Sequence, residues 1–200
     1  MKSLQEAGAA CLQEGDWSGA REAFEACLAA GGASAPVLAL LALAHLRLGN
    51  LEQALDAITR AVDLRPEHDG YRHNRGVVLT ALGRYREAVA DYERAIALNP
   101  ESGGSHNNLA WLLATAPDAS IRDGSRAVAH ARRAVAMGEN GAWLDTLAAA
   151  LAETGAFDEA VEVARRAYDR SSPRNEAFRK RMELYRRGIT WAEWRLRGRR

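Results

Sequence analysis

The stretch Leu48–Pro66, LGNLEQALDAITRAVDLRP, returns 34 residues later as LGRYREAVADYERAIALNP, Leu82–Pro100, with seven of nineteen positions identical. A fixed period of this length means one supersecondary unit copied along the chain. A single copy cannot bury its apolar face, so neighbouring copies must serve as each other's core. Gly15, Gly49 and Gly83 keep the period, and so do Ala20, Ala54 and Ala88. A larger apolar residue follows at Phe24, Ile58 and Tyr92, and a small one at Cys27, Ala61 and Ala95. Small residues also recur earlier in each unit, at Gly8, Ala42 and Gly76.

Each unit reads as two helices, because apolar residues recur at three- and four-residue steps on both sides of the glycine. Glycine ends the first helix by taking the left-handed conformation at low cost. Glu52 and Glu87 then suit the positive end of the second helix. Pro66 and Pro100 close the second and third copies. Gly8 and Ala20 predict a close approach of two helix backbones. A fourth copy starts near Gly103 and breaks register at Ala116–Gly124, APDASIRDG, an insertion expected to form a loop. A fifth carries Gly155, Phe157, Ala160, Ala164 and Ala167 in their expected places. The expected repeats are about 1–34, 35–68, 69–102, 103–139 and 140–172, followed by a basic capping helix and tail over 173–200. Ser172 and Pro173 read as the cap and first residue of that helix, which is expected to run to about Arg187. Residues beyond Gly188 form either a short helical extension or a fraying end.

Composition sets the class. With 48% hydrophobic residues and strong patterning, the chain is not a disordered one. Its net charge of +1 hides an asymmetry. Arg174–Arg200 holds ten Lys/Arg against three Asp/Glu, a balance of +7, and the rest of the chain is at −6. Two cysteines, Cys11 and Cys27, make no disulfide framework and point to a reducing, cytoplasmic compartment. Both occupy positions where the repeat wants small residues. No signal peptide is expected, and the longest apolar run, Val37–Leu46, is about half a membrane span. Arginine outnumbers lysine by 25 to 2 in an alanine-rich chain, which suggests a GC-rich bacterial genome. Met1 opens the first repeat directly, so the chain reads either as a whole protein or as a trimmed domain.

The period, the paired helices, the LGxxxxA…A…P pattern and the terminal helix resemble the tetratricopeptide repeat family over roughly residues 1–172. The resemblance implies an all-α, right-handed α-solenoid of five helix-turn-helix repeats plus a C-terminal capping helix. It also implies a concave groove lined by the first helix of each pair. In that family polar residues of the first helices hold an extended peptide, and asparagine is prominent because its amide both donates and accepts. The equivalent positions here are Asn74 and Asn108, with Thr146 in the fifth copy. Beside them lie His73, Asn107 and Asp145, and one turn along Val77 and Trp111, with Leu43 the second copy's equivalent. Trp111 either anchors a ligand side chain or packs on the next repeat's first helix. Asn74 and Asn108 either meet a partner or satisfy neighbours within the chain. Some relatives clamp a C-terminal carboxylate with a Lys/Asn/Arg set. Lys2 and Arg47 come nearest here, the set is not reproduced, and that ligand is not expected.

No metal or catalytic signature accompanies the repeats. His45, His68, His73, His106 and His130 show no ligand spacing, and His45, inside a Leu/Ala-rich helix, reads as a satisfied core residue. No phosphate loop, nucleophile elbow or dinucleotide fingerprint occurs. The expected function is therefore non-catalytic and cofactor-free: a scaffold holding a partner peptide or helix in the groove. Two alternatives are self-association through the C-terminal end and binding of an acidic surface or nucleic acid by Arg179, Lys180, Arg181, Arg186 and Arg187. Arg72 and Arg75 either reach the groove or lie along their helix pair with buried stems. Trp191 and Trp194 either cover the last apolar face or meet another protomer.

Overall fold

The structure is a computed structural model that describes residues 2–171 and 175–198. It is all-α, with twelve helices and no strand among the described residues. Five pairs follow one another: α1 (Lys2–Glu14) with α2 (Trp17–Ala29), α3 (Ala35–Arg47) with α4 (Leu51–Leu64), and α5 (Asp69–Ala81) with α6 (Tyr85–Leu98). Next come α7 (Gly103–Thr115) with α8 (Gly124–Met137), and α9 (Gly141–Glu153) with α10 (Phe157–Asp169). Then α11 (Glu176–Arg186) packs on α10, and α12 (Trp191–Arg197) ends the chain's helices. The helices gather into two compact units divided between Leu98 and Asn99, α1–α6 in the first and α7–α12 in the second.

The turns within the pairs are the ones the glycines predict. Gly15, Gly49, Gly83 and Gly155 have φ of +77°, +79°, +77° and +82°. Each turn closes with the same two bonds. At Gly49 its N–H donates to the Leu46 carbonyl at 3.1 Å and the Asn50 N–H to the His45 carbonyl at 2.9 Å. The Leu79–Arg84 and Leu151–Ala156 turns repeat this pattern, which satisfies carbonyls that the helix end leaves open.

Within a pair, size is traded between the two helices. A Cβ on Gly8 would lie 2.7 Å from the Phe24 ring, and one on Gly76 2.7 Å from the Tyr92 ring. What Gly8 admits is thus the Phe24 ring of α2, where the sequence predicted the approach of a second backbone. The second copy carries the smaller Ile58 and matches it with Ala42. Phe24, Ile58 and Tyr92 are at most 2% exposed, and Ala20, Ala54, Ala88 and Ala160 are fully buried. Cys27 is buried with them and both cysteines are free. His45 is buried, 3.5 Å from the Asn50 amide and 3.8 Å from Glu25, and burial holds its pKa below the usual histidine value.

The insertion after α7 is a pinned loop. Ala116 and Ile121 are buried, and the Asp123 N–H donates to the Leu113 carbonyl at 2.9 Å. Asp123 in turn caps α8. Arg122 reaches Glu153 of α9 at 2.8 Å and the Ala116 carbonyl at 2.9 Å. At the C-terminal end the cap expected at Ser172 and Pro173 lies outside the described residues, and α11 begins at Glu176 behind an Asn175 cap. Phe178, Met182, Leu184 and Tyr185 of α11 are buried. No helix among the described residues is long and apolar enough to cross a membrane.

Candidate functional site

The first helices of successive pairs place the residues that the repeat singles out. In the first unit α3 and α5 lie side by side over α4, and a cleft of about 260 Å3 opens between them. Its walls are Leu43 and Leu46 of α3 and Val77 of α5, all half-buried, above the buried Ile58. At the rim stand two exposed polar side chains, Arg47 and Asn74. The Arg47 guanidinium lies 5.0 Å from the Trp17 ring centroid, which steadies a long side chain without using its hydrogen-bond donors. Asn74 has no hydrogen-bond partner among the described residues, so its amide offers a donor and an acceptor to the cleft. Leu43 and Val77 are 34 positions apart, so the cleft is built by the repeat itself.

Of the residues the sequence pointed to, Asn74 and Val77 line this cleft. His73 does not. It is half-buried with its ring 5.8 Å from Tyr92, and burial lowers its pKa against the opposing charge of Asp69. Arg72 and Arg75 turn to Asp91 of α6, a carboxylate only 4% exposed. Arg75 grips it at 2.6 and 2.8 Å, and Arg72 reaches it at 3.5 Å. Those arginines lie along the helix pair and are not presented to a ligand in the cleft.

In the second unit two of the residues from the first helices, Trp111 and Asp145, face the chain's own C-terminal segment. Asp145 is 4% exposed and both its oxygens are taken by Arg181 of α11, at 2.7 and 2.5 Å. Its carboxylate is therefore spent inside the molecule and is not offered to a partner. Burial pushes its pKa up against the pull of the arginine. The Arg181 guanidinium lies 5.5 Å from the Trp111 ring, so Trp111 packs beneath a cation of the same chain. Asn107 donates to Asn108 at 3.2 Å, and its own Oδ1 is buried without a partner among the described residues. Sequence reasoning counted Arg181 among surface cations. The signal that identifies it is Asp145, an acid inside an Ala/Leu-rich helix that must find a counter-charge when buried.

Three further basic residues of this end, Arg179, Lys180 and Arg186, are also engaged. Arg179 pairs with Glu176, Arg186 with Glu183, and the Lys180 ammonium sits 3.9 Å from the Trp194 ring. In α7 and α8, His106 and His130 approach Nδ1 to Nδ1 at 2.9 Å, while His106 Nε2 donates to the Pro100 carbonyl. No group of three or more metal-capable side chains occurs among the described residues.

Comparison with known proteins places this architecture. Two family models, each described as tetratricopeptide repeat, match residues 12–73 and 72–102. A thermophilic TPR protein from Thermus thermophilus shares the fold with TM-score 0.71 at 20% identity, over 92% of this chain and 97% of that one. A tetratricopeptide repeat protein from Parabacteroides merdae does so with TM-score 0.75 at 20% identity, over 94% of this chain and 73% of that one. A TPR repeat-containing thioredoxin of Arabidopsis thaliana is 41% identical over 66 residues, 33% of this chain. This chain spans only a tenth of that relative's length.

Proposed function

The chain belongs to the tetratricopeptide repeat family, and from that premise we propose that it is a protein–protein interaction module that holds a segment of a partner protein in the cleft between α3 and α5. The observation that carries this reading is the composition of the cleft: an apolar wall of Leu43, Leu46 and Val77 beneath one guanidinium and one amide. That set suits a peptide that inserts one apolar side chain and leaves backbone groups at the rim. Burying a leucine-sized side chain there contributes about 1.5–3 kcal/mol. Asn74 can donate to and accept from the peptide backbone, and Arg47 can donate to a carbonyl or carboxylate. The walls are set on packed helices, so little ordering is lost on binding. Cys27 in the core and the free Cys11 fit a reducing compartment, and we place the protein in the cytoplasm. The pairing of Arg179, Arg181 and Arg186 within the chain favours a protein ligand over nucleic acid.

Selection of a random peptide display library on the full chain tests the proposal. Enriched peptides should share an apolar anchor. They should lose at least ten-fold in affinity on Val77→Arg and several-fold on Asn74→Ala, with Trp111→Ala close to wild type. Peptides that bind all three variants alike would place the site elsewhere.

A further inference from the structure

The register that makes the cleft in the first unit recurs in the second, with a different tenant. Trp111 follows Val77 by 34 positions, yet its ring lies under the C-terminal segment of the same chain. The Arg181 guanidinium acts as a shared plate. Its edge is bonded to Asp145 of α9, and its centre lies 5.5 Å from the Trp111 ring of α7 and 5.1 Å from the Trp191 ring of α12. Trp191 stacks on Trp194 at 4.7 Å, and Trp194 rests on the Lys180 ammonium. In this way α12 is seated over α7 through one arginine and two tryptophans.

Its manner of seating differs from that of α11. Five large side chains of α11 are buried, Arg181 among them. Of α12 only Ala192 is buried, while Trp191 and Trp194 stay half-exposed and Leu196 is 43% exposed. Seven residues are too few to hold a helix in water without a partner. The helix is started by a capping box in which the Thr190 N–H donates to Glu193 at 2.9 Å and the Glu193 N–H to the Thr190 hydroxyl at 3.1 Å. It is joined to α11 through Gly188, whose φ is +65°. A helix that covers a face with half-exposed aromatics and buries one small residue has the character of a bound ligand.

We propose that the face formed by α7, α9 and Arg181 is a second binding site, for a short amphipathic helix from another protein, and that α12 is its resident occupant in cis. The required chemistry is read from α12: an aromatic side chain in Trp191's place to lie on the Arg181 guanidinium, and a small residue in Ala192's place. A partner that meets both conditions and buries more surface than this seven-residue helix displaces it. The proposal does not depend on the cleft between α3 and α5, which involves none of these residues.

The test uses the full chain and a fluorescein-labelled peptide of residues 188–198, GITWAEWRLRG. Fluorescence anisotropy should show the Trp191→Ala/Trp194→Ala chain binding this peptide at least ten-fold more tightly than wild type, because its own helix no longer competes. Adding Trp111→Ala should abolish that binding. Equal binding by the two chains, or none, overturns the proposal. Amide hydrogen exchange on the wild type provides a second readout that needs no variant to fold. The α12 amides should exchange well ahead of those in α10 and α11, and the added peptide should speed α12 further. If α12 opens only together with α10 and α11, it is part of the core and the proposal fails.

Discussion

The same repeat positions are used in opposite ways in the two units. Leu43 and Val77 wall an open cleft beneath Asn74 and Arg47. Trp111, one period further on, is covered by Arg181 and Trp191, and Asp145 beside it is locked to Arg181. The helices that carry these residues are alike in length, thirteen residues each, although α7 runs into the inserted loop where the other three end in a glycine turn. What differs is the side chain at each position and the presence of α11 and α12 in the second unit. A repeat fold thus supplies positions, and the residues placed there decide whether a face receives a partner or the chain's own end.

The largest expected effect breaks the second unit at its buried pair. Arg181→Ala leaves the Asp145 carboxylate buried and unpaired, and should cost about 3–5 kcal/mol in urea unfolding. Adding Asp145→Leu should recover most of the loss. Hydrogen exchange should show the damage in α9–α12 while α3–α6 keep their protection. A loss below about 1 kcal/mol would reduce the pair to a surface-like contact.

Next comes the size trade in the first unit. Gly76→Ala drives a methyl group into the Tyr92 ring and should destabilise the chain by roughly 1–3 kcal/mol. Combining it with Tyr92→Ile imports the Ala42/Ile58 solution of the neighbouring copy, and should return part of that stability. If the double variant is as weak as Gly76→Ala alone, the pairing of small with large is not what sets the fit.

The comparison of the two faces sharpens with a smaller pair of changes. Trp111→Ala should lower stability by about 1–2 kcal/mol through its lost contact with the Arg181 cation. Val77→Arg, at a half-buried position in the cleft wall, should change stability by less than about 1 kcal/mol. A Trp111→Ala chain as stable as wild type would show that the Arg181 plate does not depend on the α7 ring.

The smallest effect is in acid. Burial holds His45 and His73 of the first unit below the ordinary histidine pKa. A group whose folded pKa is lowered binds fewer protons folded than unfolded, so its stabilising share is present above the unfolded value, about 6.5, and is lost as pH falls. In the second unit burial lowers His106 in the same way, opposed by Asp145 and Glu153, whose carboxyls burial raises and which gain stability as pH falls. Between pH 7 and 5 the first unit should therefore lose exchange protection before the second, with a drop of a few degrees in melting temperature. Equal loss in both units would show that exposed carboxylates dominate the titration.

Much of the fold was legible in the sequence because it is written in local rules. The helix pairs follow from apolar spacing, the turns from glycines that must adopt positive φ, and the core positions from small and large residues repeated at 34. Asn74 and Val77 could be placed on the cleft by the same period, since register alone carries a side chain to a helix face. The fate of Asp145, Trp111 and Arg181 depended on contacts 36 and 70 residues apart along the chain, which no local rule encodes.

The sequence by itself thus determined how each segment folds and which face it buries, since capping, periodicity and size matching act within one pair of helices. Only the tertiary structure decided which faces stay open. That choice rests on where a seven-residue helix at the end of the chain comes to lie, and on whether a buried acid meets its arginine there. Such long-range pairings are set by packing and charge satisfaction in three dimensions, and a linear sequence does not show them.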